Sequence, residues 1–196
     1  TGGIAAGKSA VARLFCELGA EHLDADHLAR QVVAEDPGLL ETMVQVFGEQ
    51  ILTRQGTLDR AALGRVVFAD AEARARLNAM THPVIAARAR EELEARRGPG
   101  RRAPIIYEAA LLVETGRHHE MDLLVVVVAD METRLRRLLQ RDGFTEAEAA
   151  QRFAAQMPQE EKAALADYVI DNSGSLDQTR QQVKPIWDKI ISAAPR

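Results

Sequence analysis

Apolar positions along the chain change their spacing from segment to segment. Behind a glycine-rich opening, Val11, Leu14, Phe15 and Leu18 recur at helical intervals and predict an amphipathic helix that Gly19 ends. Residues 20–26, AEHLDAD, predict a short strand finishing in acidic side chains, and HLARQVVAE predicts a helix. Asp36-Pro37-Gly38 breaks the chain, with proline placed to start the next helix. From there to Arg97 the pattern is helical throughout, in LLETMVQVF, LDRAALGRVVFAD, AEARARLNAM and HPVIAARAREELEARR, with His82-Pro83 opening the last helix. The Arg and Glu of this region read as a solvated face with i,i+4 pairs.

GPGRR (98–102) predicts a loop and APIIYE (103–108) a buried strand. MDLLVVVVAD (121–130) is a continuous β-branched run, as expected for a strand covered on both faces. Asp130 is expected to cap the helix METRLRRLLQRD, which Asp142-Gly143 ends, and Thr145 with Glu148 forms a capping box for another helix. DYVIDNSG (167–174) predicts a strand and turn, and residues 176–191 a helix kinked at Pro185. Strands alternating with helices predict an α/β fold with a parallel sheet wrapped on both sides. Ligands of such sheets sit beyond the carboxyl ends of the strands. The glycine-rich loop, Asp24, Asp26, Glu108, Asp171 and Asn172 all follow or end predicted strands and are expected on that edge.

Composition narrows the picture. A chain of 196 residues with 46% hydrophobic content supports one full-sized core with room for an inserted subdomain. A net charge of −4 does not suit a general nucleic-acid binder. The one cysteine, Cys16, allows no intrachain disulfide and reads as a buried structural thiol. The apolar run at 123–129 is too short to span a bilayer, and with no signal peptide in view the expectation is an intracellular, cytoplasmic protein without membrane partners. A monomer and a small homo-oligomer are equally open.

The candidate chemistry starts at the first residues. Gly2, four residues, then Gly7-Lys8-Ser9 fits the phosphate-binding loop G-x-x-x-x-G-K-[ST]. Such a loop curls around a phosphate chain and turns backbone N–H groups inward. Lys8 supplies a cation to the β/γ phosphates, Ser9 a hydroxyl for Mg²⁺, and the following helix points its positive end at the same anion. A loop of this kind follows a buried strand, so the natural protein is expected to carry a short strand before Thr1.

Three further groups stand out. A carboxylate at Asp24 or Asp26 can orient an acceptor hydroxyl and take its proton, or cap the next helix. His22 and His27 nearby suggest a metal site, but the set lacks the usual ligand spacing. Glu108 can hold Mg²⁺ through water or merely cap a helix, and spacing does not choose. Arg134, Arg137 and Arg141 share a helical face; beside a phosphate loop they read as cations for a triphosphate, with Arg136 off that face.

TGGIAAGKS, LDADHLARQVV, GTLDRAAL, THPVI, ALLVETG, VVVVADMETRLRRLLQRDG, AAQM and YVIDNSGS, in this order, resemble the dephospho-CoA kinase family across nearly the whole chain. The resemblance implies a P-loop kinase-type parallel sheet flanked by helices, with a helical acceptor-binding insertion and a lid. It assigns residues 1–34 and 99–196 to the core, about 138–160 to the lid and 35–98 to the insertion that holds the CoA-type acceptor. It implies ATP-dependent phosphorylation of the ribose 3′-hydroxyl of dephospho-CoA, the last step of coenzyme A synthesis, with Mg²⁺. Carried over by motif, Gly3, Ile4, Ala5, Ala6, Gly7, Lys8, Ser9 and Ala10 wrap the ATP phosphates. Asp26 is the base, Arg141 the lid arginine, Arg137 a nucleotide contact and Asn172 a neighbour of adenine. Ser9 and Glu108 face the metal.

The chain departs from the family pattern at Ala5 and Ala6, where glycine and a small residue are common, at Ala10 for threonine, at Glu108 for aspartate and at Ala110 for proline. Ala5 requires a loop conformation that alanine tolerates. Another small-molecule or nucleotide kinase of this build is the alternative. A nucleotide-dependent switch or adaptor is a third reading, against which stands the lack of an Asn/Thr-Lys-x-Asp guanine-reading element.

Overall fold

The computed structural model describes residues 1–97 and 103–193, without the side chain of Phe68; the loop expected at 98–102 lies outside the described residues. In chain order the elements are α1 (Lys8–Glu17), β1 (Glu21–Asp24), α2 (Ala25–Glu35), α3 (Pro37–Phe47), α4 (Arg60–Ala69), α5 (Ala71–Arg96), β2 (Ile105–Glu108), β3 (Val125–Val128), α6 (Met131–Asp142), α7 (Glu146–Ala154), α8 (Gln159–Ala164), β4 (Tyr168–Asp171) and α9 (Leu176–Ala193). Two compact units result, Thr1–Leu23 with Arg102–Arg196, and Asp24–Arg101.

In the first unit the strands pair as two ladders, β1 with β2 and β3 with β4. β3 and β4 are parallel, with Val126 opposite Val169 and Val127 opposite Ile170. The Thr1 amine donates to Val125 O and Val127 N to Thr1 O, both at 2.9 Å. Val128 O instead accepts from Asn172 N, so Thr1–Gly2 lies along the edge of β3 away from β4. The helical period seen in the sequence places Val11, Leu14 and Phe15 of α1 in a core with Ala6, Val127, Ile170, Val183 and Ile186. Trp187 packs on that core, its ring 6.4 Å from that of Phe15. Cys16 is half-buried, less enclosed than the sequence suggested, and its burial raises the thiol above its ordinary pKa.

The second unit is helical. Its core joins Val32, Val33, Leu39, Met43, Phe47, Ile51, Leu63, Val67 and Ala73. Pro37 starts α3, with Asp36 accepting from Leu39 N. The break expected at His82-Pro83 does not occur: α5 runs through Pro83. Proline forfeits one backbone bond there. Packing of α5 against α2, α3 and α4, with Ala73, Thr81 and Ala89 buried, outweighs that loss.

Caps set the ends of the shorter elements. β1 stops at Asp24 because its carboxylate accepts from Asp26 N at 2.8 Å and His27 N at 3.0 Å, closing the N-terminus of α2. Asp26 therefore lies in the first helical turn, and the strand expected to reach residue 26 ends two residues earlier. Asp130 caps α6 through Thr133 N at 2.7 Å, and the Thr145–Glu148 capping box opens α7. The six-residue α8 follows Pro158.

Candidate active site

From Gly2, which pairs beside β3, residues 3–7 turn into the start of α1. Gly7 takes the left-handed conformation, φ 96°, and accepts from Ala10 N and Val11 N, so it closes the loop and caps the helix at once. A Cβ on Gly7 would fall 2.0 Å from Asn172 Nδ2, and one on Gly3 would fall 2.8 Å from the Arg134 guanidinium. Glycine is thus required by both conformation and close approach at Gly7, while at Gly3 a side chain would displace the Arg134 guanidinium. Ala5 is the only non-glycine among the described residues with positive φ, at 60°. Alanine is tolerated there at a cost of about 1 kcal/mol, because its Cβ crowds the backbone.

The loop is held from its carbonyl side. Arg134, buried on α6, donates Nε to Ile4 O at 3.0 Å and lies 4.7 Å from the centre of the Phe153 ring. Burial pulls its guanidinium below the ordinary value, with Glu160 opposing. Arg137 donates to Ala6 O at 3.3 Å and to Asn172 O at 2.8 Å. Asn172 donates Nδ2 to Ala6 O and accepts from Thr179 Oγ1, both at 2.8 Å. The amide of Ile4 donates to Gln156 Oε1 at 2.8 Å. Lys8 Nζ reaches Gly2 O and Gly3 O, both at 3.3 Å.

This arrangement divides the arginine face read from the sequence. Arg134 and Arg137 grip loop carbonyls 130 and 131 positions away. Arg141, on the last turn of α6, instead donates twice to Asp142, at 2.9 and 2.7 Å, and its side chain is 65% exposed. That pairing raises the Arg141 guanidinium and lowers the Asp142 carboxyl. Asn172, expected beside adenine, has both side-chain polar atoms engaged under the loop. The amides of Ala6 and Ala10 donate to Gly3 O and Gly7 O, within the turn itself.

Glu108 ends β2 with its carboxylate buried. Ser9 Oγ donates to Oε1 at 2.7 Å, and His22 Nε2 faces Oε2 at 3.0 Å. The chain after Glu108 turns through Gly116 before a short helical turn at Arg117–Glu120, so the helix-capping reading falls away. A hydroxyl beside a carboxylate offers the hard oxygen donors that Mg²⁺ prefers, so the pair fits that ion. Among the described residues no group of three or more His, Cys, Asp and Glu is placed to hold a metal ion.

Besides Gln156 and Thr179, two further contributions were not read from the sequence. His22 meets Glu108 across 86 positions, with no local pattern to announce it. Lys162 is fully buried, donates to Ala110 O at 3.0 Å and pairs with Glu114 at 2.5 Å, while Met157 N reaches the same carboxylate oxygen at 3.4 Å. These contacts tie the segment after α7 to the turn after β2. Asp26 lies in the helical unit, in the first turn of α2.

The family model for dephospho-CoA kinase matches residues 1–178. A protein of Geobacter metallireducens named dephospho-CoA kinase is 48% identical over 198 residues, covering 100% of this chain and 97% of that protein. A crystal structure from Thermus thermophilus superposes with a TM-score of 0.80 at 34% identity, covering 96% of this chain and 94% of that one. A dephospho-CoA kinase from Campylobacter jejuni gives 0.70 at 30% identity, with 97% and 94% covered. The α/β arrangement is the P-loop kinase fold. A phosphate loop braced from behind, on a chain matched from end to end by such relatives, makes this protein a member of the dephospho-CoA kinase family.

Proposed function

We propose that the chain transfers the γ-phosphoryl group of ATP to the ribose 3′-hydroxyl of dephospho-CoA, forming coenzyme A in the cytoplasm. The family match over residues 1–178 carries this reading. The braced loop supports it, because phosphoryl transfer is mainly positioning and charge stabilisation.

The N-terminal N–H groups of α1 (Lys8–Glu17) receive phosphate oxygens, and Lys8 adds a point charge. Ser9 and Glu108 would hold Mg²⁺, which when bound offsets negative charge on the phosphates. Asp24 is committed to capping α2, so Asp26 is assigned the acceptor proton. Arg137 and Asn172 serve the nucleotide by fixing the loop at Ala6. Arg141 is assigned to the transferring phosphate, as the cation of a lid at about residues 138–160. Its exposed pair with Asp142 is of a kind worth about 0.2–1 kcal/mol, less than a charge-assisted bond to phosphate. The helical unit, Asp24–Arg101, takes the acceptor.

Coupled measurement of ADP, with and without dephospho-CoA, tests the proposal. Acceptor-dependent ADP release is expected. Turnover with a nucleoside monophosphate alone would move the chain to another acceptor class, and nucleotide binding without acceptor-dependent release would leave a switch.

A further inference from the structure

We propose that His22 is a positioning residue for the cation seat, fixing the Glu108 carboxylate that receives Ser9. The proposal rests on the reading of Ser9 and Glu108 as the Mg²⁺ donors. His22 belongs to β1 and Glu108 to β2, which are neighbours in one ladder. The two oxygens of Glu108 are divided between two partners: Oε1 takes the Ser9 hydroxyl at 2.7 Å, and Oε2 meets His22 Nε2 at 3.0 Å.

The terminal torsion of glutamate is broad, so a carboxylate held at one oxygen turns freely about its last bond. Held at both, its plane is set. With a carboxylate opposite, Nε2 is the ring nitrogen that carries the hydrogen. The Ser9 hydroxyl is then aimed at Oε1, and the serine oxygen keeps its lone pairs for a cation. The side chain of Glu108 is 9% exposed, so water is a poor substitute for the ring. Outer partners of this kind orient the groups that touch a metal, and their loss typically weakens metal affinity by about 10–100-fold.

Mn²⁺ binding in the presence of ADP, followed by electron paramagnetic resonance on the full chain, reads this directly and without turnover. His22→Leu removes the donor, and His22→Gln keeps an N–H at the reach of Nε2. We expect His22→Leu to weaken Mn²⁺ by about 10-fold or more, with metal-free ADP affinity unchanged and His22→Gln retaining most of the Mn²⁺ affinity. Undiminished Mn²⁺ affinity in His22→Leu overturns the proposal, as does equal weakening in both variants, which makes the ring mere packing. Glu108→Gln separates the levels. If it leaves Mn²⁺ affinity intact, the cation-seat reading itself fails; if it weakens Mn²⁺ while His22→Leu does not, only the role of His22 is lost.

Discussion

Asn172 at the end of β4 donates its side-chain amide to the carbonyl of Ala6, 166 positions earlier, at 2.8 Å. Its Oδ1 is held in turn by Thr179 Oγ1, and the residue is buried. The bond ties the loop at Ala6 to the residue that follows β4. Asn172→Asp replaces the donor with a buried oxygen facing another oxygen, so it should destabilise the fold by at least about 2 kcal/mol. Urea unfolding measures this, and calorimetry should show weaker ATP binding. A variant as stable as the parent would remove Asn172 from the loop's support.

Ala5 gives the opposite expectation. Its φ of 60° suits glycine, so Ala5→Gly should raise stability by no more than about 0.6 kcal/mol, after the extra freedom glycine gives the unfolded chain. Ala5→Val should lower it by about 2 kcal/mol, since a branched Cβ resists that region. Equal denaturation midpoints for all three proteins would mean that Ala5 is not strained.

Lys162 is fully buried, with Glu114 as its ion partner. Glu114 Oε2 is buried with no hydrogen-bond partner among the described residues, so removing the lysine strands a carboxylate. Lys162→Met should therefore cost about 3–5 kcal/mol. The double variant Glu114→Gln, Lys162→Met should recover part of that loss in the same unfolding experiment.

Asp26 carries the chemical prediction. Asp26→Asn should lower kcat by about 10²–10⁴-fold, the usual contribution of a positioned base, with ATP affinity unchanged. Normal turnover would take Asp26 out of the mechanism.

The Glu148 carboxylate accepts from both the amide and the hydroxyl of Thr145, and these bonds hold it below the usual carboxylate range. A carboxylate depressed in the folded state adds stability that is complete above its unfolded value, about 4.3, and lost as pH falls through the lower folded value. Carbon-detected titration should find Glu148 below that reference, and amide protection at the start of α7 should decline on acidification in the same window. Glu148→Gln should remove the pH dependence of that protection.

The sequence was most informative where neighbours along the chain are also neighbours in space. Gly2 to Ser9 announced the loop because one turn holds every residue of it. Thr145 and Glu148 announced a helix start for the same reason. Reading failed where packing overrode local preference, as at Pro83 inside α5, or where a cap shortened an element, as Asp24 does to β1. The arginines were visible as a face, but periodicity says nothing of what a face meets. Arg134 and Arg137 meet carbonyls of the loop rather than solvent, and His22 meets Glu108 only because β1 and β2 pair.

The bracing of the loop also bears on the order in which the molecule matures. Arg134, Arg137, Gln156 and Asn172 all lie far downstream of the carbonyls and amide they hold. During translation these anchors leave the ribosome long after the turn they stabilise. The loop is thus made well before its supports, and a nascent chain lacks a braced loop until residue 172 has emerged.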